Sequence, residues 1–460
     1  MTAAVKQNKT QPLLLPSEAG ISLPGAGQEW LDSLRNNASK QFSVNGLPTV
    51  RDEEWRYTDI RKLKRLQFSM QFSAPDVREC LNNLPDYNLT RIVLVNGLFS
   101  PEMSTVRLSD DEKALITISS LAKKLEDDSL QGLLGSTLPA DRHAFVDLNT
   151  AYCFDGVVIE VAAKAKLEKP IEIIHVTTTH SAQASVTHPR NLIIAGKLSE
   201  SQFIERSIAM EGEERNIYLN NTVTEIIAHD GSKLDHYKVQ EESKTAFHFG
   251  GVFISQSRDA HVVNHNIALG GVLVRNDIYL NLLGTGAHGG MNGLVLGHDS
   301  QHVHNHTEVA HRLPHCTSDE FYKTVLDDKS RAVFRGRIIV AQDAQKTNAE
   351  QQNNNLLLSN DAEADTKPQL EIYADDVICS HGATIGQLDE KSLFYFQSRG
   401  IKKDDARRLL TFAFVNEVVD RITFEPLRNE LTQRFLGELL PSTPNNDGAN
   451  NGENAEEVFV

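Results

Sequence analysis

The ten residues RAVFRGRIIV, at positions 331–340, alternate between two kinds of side chain. One side of the run is small or apolar and carries Ala332, Phe334, Gly336, Ile338 and Val340; the other carries Arg331, Arg335 and Arg337, together with Val333 and Ile339. The run QLEIYA, at 369–374, alternates in the same way. A period of two predicts β-strands with one buried face.

Residues 151–389 share this character over a much longer span. Short apolar or alternating runs are broken by Gly, Asn and Asp, and helical periodicity is hard to find. Breaks at Asp343, Asp361 and Asp376 lie 18 and 15 residues apart. This spacing modestly favours a solenoid, in which each coil buries its apolar face on the next, over a β-sandwich. We expect the run Asn353–Asn355 to form a turn with stacked amides.

The two flanks of this region have a different pattern. Residues 1–150 are mixed and largely helical, with short helices expected over 28–37 and 51–68 and a strand entering a turn at 92–100. After residue 398, a first helix begins near Asp404 or Asp405, and a second follows Pro426. The apolar face of the first helix contains Leu409, Phe412, Val415, Val419 and Ile422. Residues 441–460 are acidic and Asn-rich, which predicts a disordered tail.

Composition excludes several classes of protein. The 460 residues contain 46 Lys and Arg against 62 Asp and Glu, a net charge of −16, which argues against broad nucleic-acid binding. No apolar run approaches the roughly 18–20 residues that cross a bilayer. The four cysteines are scattered and form no CxxC, so a disulfide framework is not expected. A cytoplasmic location follows, with the plastid stroma as the alternative.

Two motifs in the His-rich segment 261–315 have ordinary structural explanations. GTGAHG, at 284–289, matches a dinucleotide fingerprint, but the glycines that follow are unsuited to the required helix. We therefore interpret it as a solenoid turn. His302, His304 and His306 share one side of a predicted strand. A metal site is possible there, but we favour a ladder of half-exposed histidines on a polar face.

Cys379 and His381 are the stronger candidates for metal ligands. Two residues apart on a strand, the thiol and the imidazole project to the same side, and both are ligands for iron or zinc. Two ligands cannot complete a tetrahedral site. Either another chain supplies the rest, or Cys379 is simply a buried thiol, and chemistry alone favours the second alternative.

Several long stretches resemble the SufB/SufD family of iron–sulfur cluster assembly proteins. They are residues 366–401, containing QLEIYADDVICSHGATIG, together with EEWRYTDI at 53–60, HTEVAH at 306–311 and the block at 316–359. The run CSHGATIG resembles the SufD branch of the family. The resemblance implies a mainly β fold, with a right-handed parallel β-helix core between helical N- and C-terminal regions. We expect the boundaries at 1–150, 151–395, 396–440 and a tail at 441–460.

The resemblance also implies a function. The expected role is a scaffold subunit without turnover, which pairs with SufB through the β-helix and binds the SufC ATPase through its C-terminal helices. Leu409, Phe412, Val415 and Val419 are the expected docking residues for that ATPase. His381 and Cys379 are expected to hold a transient iron–sulfur cluster shared with SufB, and whether flavin binds the complex stays open. No P-loop occurs in the chain, so ATP hydrolysis is expected in the partner.

Two alternatives remain at this stage. The first is a SufB-type scaffold, against which CSHGATIG speaks. The second is a carbohydrate-active β-helix enzyme, which needs clustered catalytic side chains on one face of the solenoid. Asp375 and Asp376 are adjacent in sequence and point to opposite faces, so they make a poor acid/base pair.

Overall fold

The computed structural model describes residues 22–70, 72–140, 143–178, 184–210 and 216–439. They divide into two compact units, one ending at Gln387 and the other beginning at Leu388. The first unit holds the N-terminal region and all of the described strands. The predicted tail at 441–460 lies outside the described residues.

The strands of the first unit form a parallel β-helix. In chain order they are β1 (Phe68–Met70), β2 (Thr90–Val95), β3 (Leu98–Phe99), β4 (Ile116–Ser120), β5 (Val157–Val161), β6 (Ile171–Thr177), β7 (Ala184–Thr187), β8 (Arg190–Ala195), β9 (Glu200–Ala209), β10 (Tyr218–Ala228), β11 (Lys233–Glu241), β12 (Phe247–Gln256), β13 (His261–Ala268), β14 (Leu273–Leu282), β15 (His288–Gly297), β16 (His302–His311), β17 (Thr317–Leu326), β18 (Arg331–Val340), β19 (Asn348–Leu357), β20 (Glu363–Ile372) and β21 (Ile378–Gly386). From β8 onwards, even-numbered strands pair with one another in one sheet and odd-numbered strands in a second sheet.

From β8 onwards the coils stack in register, with a step that ranges from 26 residues between Phe247 and Leu273 to 33 residues between Glu200 and Lys233. Each residue of β14 pairs with the residue 29 positions later in β16, as in Leu273 with His302. The second sheet has the same step between β15 and β17, where His288 pairs with Thr317. A mainly β fold with a parallel β-helix core and helical flanks is therefore confirmed.

The period-two pattern that predicted the strands is borne out in β18. Ile338 and Val340 are fully buried in the solenoid core, and Ala332 and Phe334 are nearly so. Asp343, Asp361 and Asp376 all lie between strands, as their spacing predicted. The run at 353–355 is different from the expectation, because it lies inside β19 rather than in a turn.

The N-terminal region carries the helices α1 (Glu29–Asn45), α2 (Arg78–Asn82), α3 (Asp110–Lys113), α4 (Leu121–Lys124) and α5 (Ala144–Tyr152). The run at 51–68 forms two short 3₁₀ helices, Glu53–Trp55 and Leu63–Arg65. Trp55 is 2% exposed, and the Arg275 guanidinium of β14 lies 3.9 Å from the centre of its ring. This segment therefore anchors the N-terminal region to the outer face of the even-numbered sheet.

The histidines of β16 lie beneath this segment. His304 and His306 are each 1% exposed, and the Thr58 hydroxyl lies 2.7 Å from His304 Nδ1. The expectation of half-exposed histidines is therefore wrong for His304 and His306, because the N-terminal region covers this face, whereas His302 at the start of β16 is half-buried. Burial, aided by nearby arginines, lowers the pKa of His302 to about 4 and that of His306 to about 3.

The GTGAHG run is the turn between β14 and β15, as we interpreted it. The element that follows is strand β15 and not a helix, so the geometry of a dinucleotide site is missing. Gly286 has φ +74°, a left-handed conformation that favours glycine.

In its described part, residues 388–439, the second unit contains three helices, α6 (Glu390–Ser398), α7 (Lys403–Val419) and α8 (Glu425–Leu439). Sequence periodicity indicated α7 and α8 but missed α6, which spans the predicted boundary at residue 395. That boundary stays a prediction. Helix α7 begins just after Lys402, so Asp404 and Asp405 lie in its first turn. Carboxylates at this position interact favourably with the helix dipole.

Replacing Trp55 tests how much this side chain contributes to holding the N-terminal region on the even-numbered sheet. We expect Trp55→Ala to lower the free energy of unfolding by about 3–5 kcal/mol, because it empties a buried aromatic site and strips the Arg275 side chain of its ring partner. Tyr57→Ala, two residues away and 38% exposed, is the control and should cost less than about 1 kcal/mol. Urea denaturation followed by fluorescence and circular dichroism measures both; equal effects would contradict the anchoring role.

Candidate functional site

The β-helix has an open end at its last coil. Within the described residues, β20 pairs only with β18 and β21 pairs only with β19, so each presents one free edge. Large apolar side chains of this coil are exposed: Ile372 (41%), Tyr373 (63%), Ile378 (72%) and Ile385 (49%). A parallel edge with exposed apolar side chains is suited to pairing with another strand.

Cys379 and His381 lie on this last coil, at β21. Their ladder partners are Ala349 and Gln351 of β19, both of which are buried. Because paired residues in a parallel ladder point the same way, Cys379 and His381 share the inward side of β21, as their spacing predicted. Cys379 is half-buried against the solenoid core, whereas His381 is exposed.

The last coil carries the one cysteine of the chain whose thiol is partly accessible. Cys80, Cys153 and Cys316 are buried, and Cys379 alone of the four free cysteines is partly accessible. Burial raises the pKa of the Cys379 thiol, so iron binding must displace its proton. In the part of the chain that the structure describes, no group of three His, Cys, Asp or Glu residues is placed to hold a metal ion.

A polar column lies behind His381. Gln351, its neighbour in the ladder, donates from Nε2 to Glu320 Oε2 at 2.5 Å, and Glu320 occupies the next position inward. Burial raises the pKa of Glu320 to about 7. Gly336 faces the column from the other sheet, where an added Cβ would stand 2.3 Å from Gln351 Nε2. Sequence reasoning missed this column, since only the coil register of about 30 residues aligns its members.

The predicted docking residues of the C-terminal region differ in exposure. Val415 and Val419 are completely buried in the helical unit, and Leu409 and Phe412 are half-buried. Among the side chains described in this unit, the most exposed large apolar ones are instead Phe394 (71%) and Tyr395 (56%) on α6. Sequence analysis missed them because it did not identify α6.

Comparisons with known proteins identify the family. Residues 176–414 match the model for the SUF system FeS cluster assembly SufBD core domain, and residues 19–173 match that for the SufBD protein N-terminal region. An iron–sulfur cluster assembly SufBD family protein of Synechocystis is 31% identical over 442 residues, covering 94% of this chain and 96% of that protein.

Two further relatives agree. The iron–sulfur cluster assembly protein SufD of Escherichia coli is 31% identical over 405 residues, covering 87% of this chain and 91% of that protein. A chloroplastic protein of Arabidopsis thaliana is 28% identical over 416 residues, covering 89% and 86%. The chain therefore belongs to the SufBD family of iron–sulfur cluster assembly proteins. None of its described helices is long and apolar enough to cross a membrane.

Proposed function

We propose that this chain is a SufD-type scaffold subunit that pairs with a SufB-type protein through the open end of its β-helix. The observation that carries the proposal is the last coil, which combines two unpaired parallel strand edges with exposed apolar side chains. A second β-helix of the same kind could continue both ladders and cover those side chains. The similarity to SufD of Escherichia coli supports the assignment.

A charge placed on the open coil tests the pairing. Ile385→Asp would leave a carboxylate in a dry interface, so we expect the affinity for a SufB-type partner to fall at least about tenfold. Leu283→Asp is the matched control, because Leu283 is 50% exposed against 49% for Ile385 but lies in the turn after β14. Co-purification and titration by interferometry measure the effect. Full pairing by Ile385→Asp would contradict this interface.

We propose further that His381, with Cys379, contributes ligands to a nascent iron–sulfur cluster, which is the cargo of the assembly. A neutral imidazole and a thiolate both bind iron. The side chains share one face of β21, and the chain alone offers no third ligand beside them among its described residues. A partner seated on the open coil would supply the remaining ligands.

Removing the imidazole tests the ligand role. In an assembly reconstituted with SufB- and SufC-type partners, we expect His381→Ala to lower the yield of cluster at least about tenfold while pairing persists. Ser380→Ala is the control, since Ser380 lies on the opposite side of the same strand. Cys379→Ser tests the second residue. A lower yield of cluster would mean that Cys379 is a ligand, and an unchanged yield would mean that it is only a packed thiol. Cluster absorbance and iron content are measured, and normal yield from His381→Ala would eliminate its role.

The helical unit that begins at Leu388 is the proposed dock for a SufC-type ATPase. It is compact by itself, and its exposed Phe394 and Tyr395 offer an apolar surface. Leu409 and Phe412 can extend that surface, whereas Val415 and Val419 are needed inside the unit. ATP hydrolysis would then belong to the partner, and this chain would have no turnover of its own. Its four free cysteines suit the reducing cytoplasm or plastid stroma.

Shortening the chain tests the dock. A variant ending at Gln387 should lose binding of the SufC-type ATPase and keep pairing with the SufB-type protein, because the two surfaces lie on different units. Phe394→Asp in the full-length chain should weaken ATPase binding at least about tenfold without the loss of any helix. Pull-down with each partner is the measurement. ATPase binding by the shortened chain would place the dock elsewhere.

A further inference from the structure

Gln351 carries a buried acceptor that no donor satisfies. Its side chain is 1% exposed, and its Oε1 makes no hydrogen bond to any described residue. A buried carbonyl oxygen without a donor is costly in a folded protein. Gln351 lies one coil inside the open end of the β-helix, where His381 is its ladder partner. The unused acceptor is therefore next to the proposed ligand of the cluster.

The other end of the same amide is held in place. Gln351 donates from Nε2 to Glu320 Oε2 at 2.5 Å, and Glu320 is its ladder partner on the inner side. Gly336 of β18 leaves room for the amide, because an added Cβ would stand 2.3 Å from Gln351 Nε2. An ionised carboxylate only accepts hydrogen bonds. With Glu320 in that form, Nε2 and not Oε1 points inward.

The spacing of the coils then determines where Oε1 points. Neighbouring strands of a sheet lie about 4.7–4.9 Å apart. A side-chain amide in such a ladder donates to the strand on one side and accepts from the strand on the other. An amide whose Nε2 reaches back to β17 therefore presents its Oε1 towards β21.

The same pair of strands already has a bond of this kind on its outward face. Thr384 of β21 is the ladder partner of Asn354 of β19, and its hydroxyl donates to Asn354 Oδ1 at 2.9 Å. His381 and Gln351 have the same relation on the inward face, three residues earlier on each strand. His381 is exposed, so its imidazole is able to turn towards the amide.

We propose that Gln351 is a positioning residue for His381. Its Oε1 accepts one ring N–H of the imidazole, which fixes the tautomer and leaves the lone pair of the other nitrogen for iron. Histidines that bind metals commonly donate their second nitrogen to such an oxygen, and loss of that partner costs about 10–100-fold in metal affinity or activity. The inference rests on the proposed ligand role of His381, but the contact between the two side chains needs no partner protein.

The tautomer of His381 tests the contact directly. In the full-length chain with isotope-labelled histidine, at mildly alkaline pH, the chemical shifts of the two ring nitrogens show which one carries the hydrogen, and His381→Ala identifies the signal. We expect one tautomer in the unmodified chain and a mixture in Gln351→Met, which keeps the length of the side chain but has no amide oxygen. Gln352→Met is the matched control, because Gln352 is the next residue of β19 and is exposed on the opposite face.

A second variant moves the amide without changing its chemistry. Gly336→Ala places a methyl group against Gln351 Nε2 and should give the same mixture of tautomers with an unchanged circular dichroism spectrum. The proposal is overturned if the unmodified chain already shows the mixture, which would mean that water alone meets Oε1. It is equally overturned if Gln351→Met and Gly336→Ala keep the single tautomer expected in Gln352→Met.

The reconstituted assembly separates this proposal from the ligand role on which it rests. We expect Gln351→Met to lower the yield of cluster at least about tenfold while pairing with the SufB-type partner persists. A changed tautomer with a normal yield would overturn the positioning role. If His381→Ala also gave a normal yield, the failure would lie in the ligand role of His381, because the tautomer is measured without any cluster.

Discussion

In-register stacking of coils, at a step of about 29 residues, is the constraint on which the rest of this molecule depends. Each strand of an inner coil pairs with a strand of the coil before it and with a strand of the coil after it, so its backbone N–H and C=O groups have ladder partners on both sides. The last coil is the exception, because one edge of β20 and one edge of β21 are free. The same stacking that stabilises the solenoid therefore leaves two unpaired strand edges at its last coil.

The outer face of the even-numbered sheet illustrates a second consequence. Its side chains include Arg275, Asp277 and three histidines, groups that are costly to bury without partners. The N-terminal region supplies partners for two of them. The Trp55 ring lies against the Arg275 guanidinium, and the Glu54 carbonyl accepts a hydrogen bond from Arg275. His143, just before α5, has its Nε2 2.8 Å from Asp277 Oδ2. The N-terminal region thus covers the sheet by replacing hydration with specific contacts.

The candidate site has the character of a shared surface rather than of a closed active site. His381 is exposed and Cys379 only half-buried, and behind His381 the buried Gln351 donates a hydrogen bond to Glu320. The proposed scaffold role would require ligands that are accessible and incomplete, since the cluster must be both received and released. Membership of the SufBD family gives this geometry its biological setting.

The β-helix itself was implied by the family resemblance, and many of the local elements were determined by the periodicity of side chains along the sequence. That periodicity indicated the strands, the inward side of β18, the placement of Cys379 beside His381 and the apolar faces of α7 and α8. It could not determine what covers the outward side of a strand, so the burial of His304 and His306 was missed. It placed residues 353–355 in a turn rather than inside β19, and it could not show that Gln351 stands behind His381. Those features depend on contacts between residues about 30 or more positions apart, which only the stacked coils bring together.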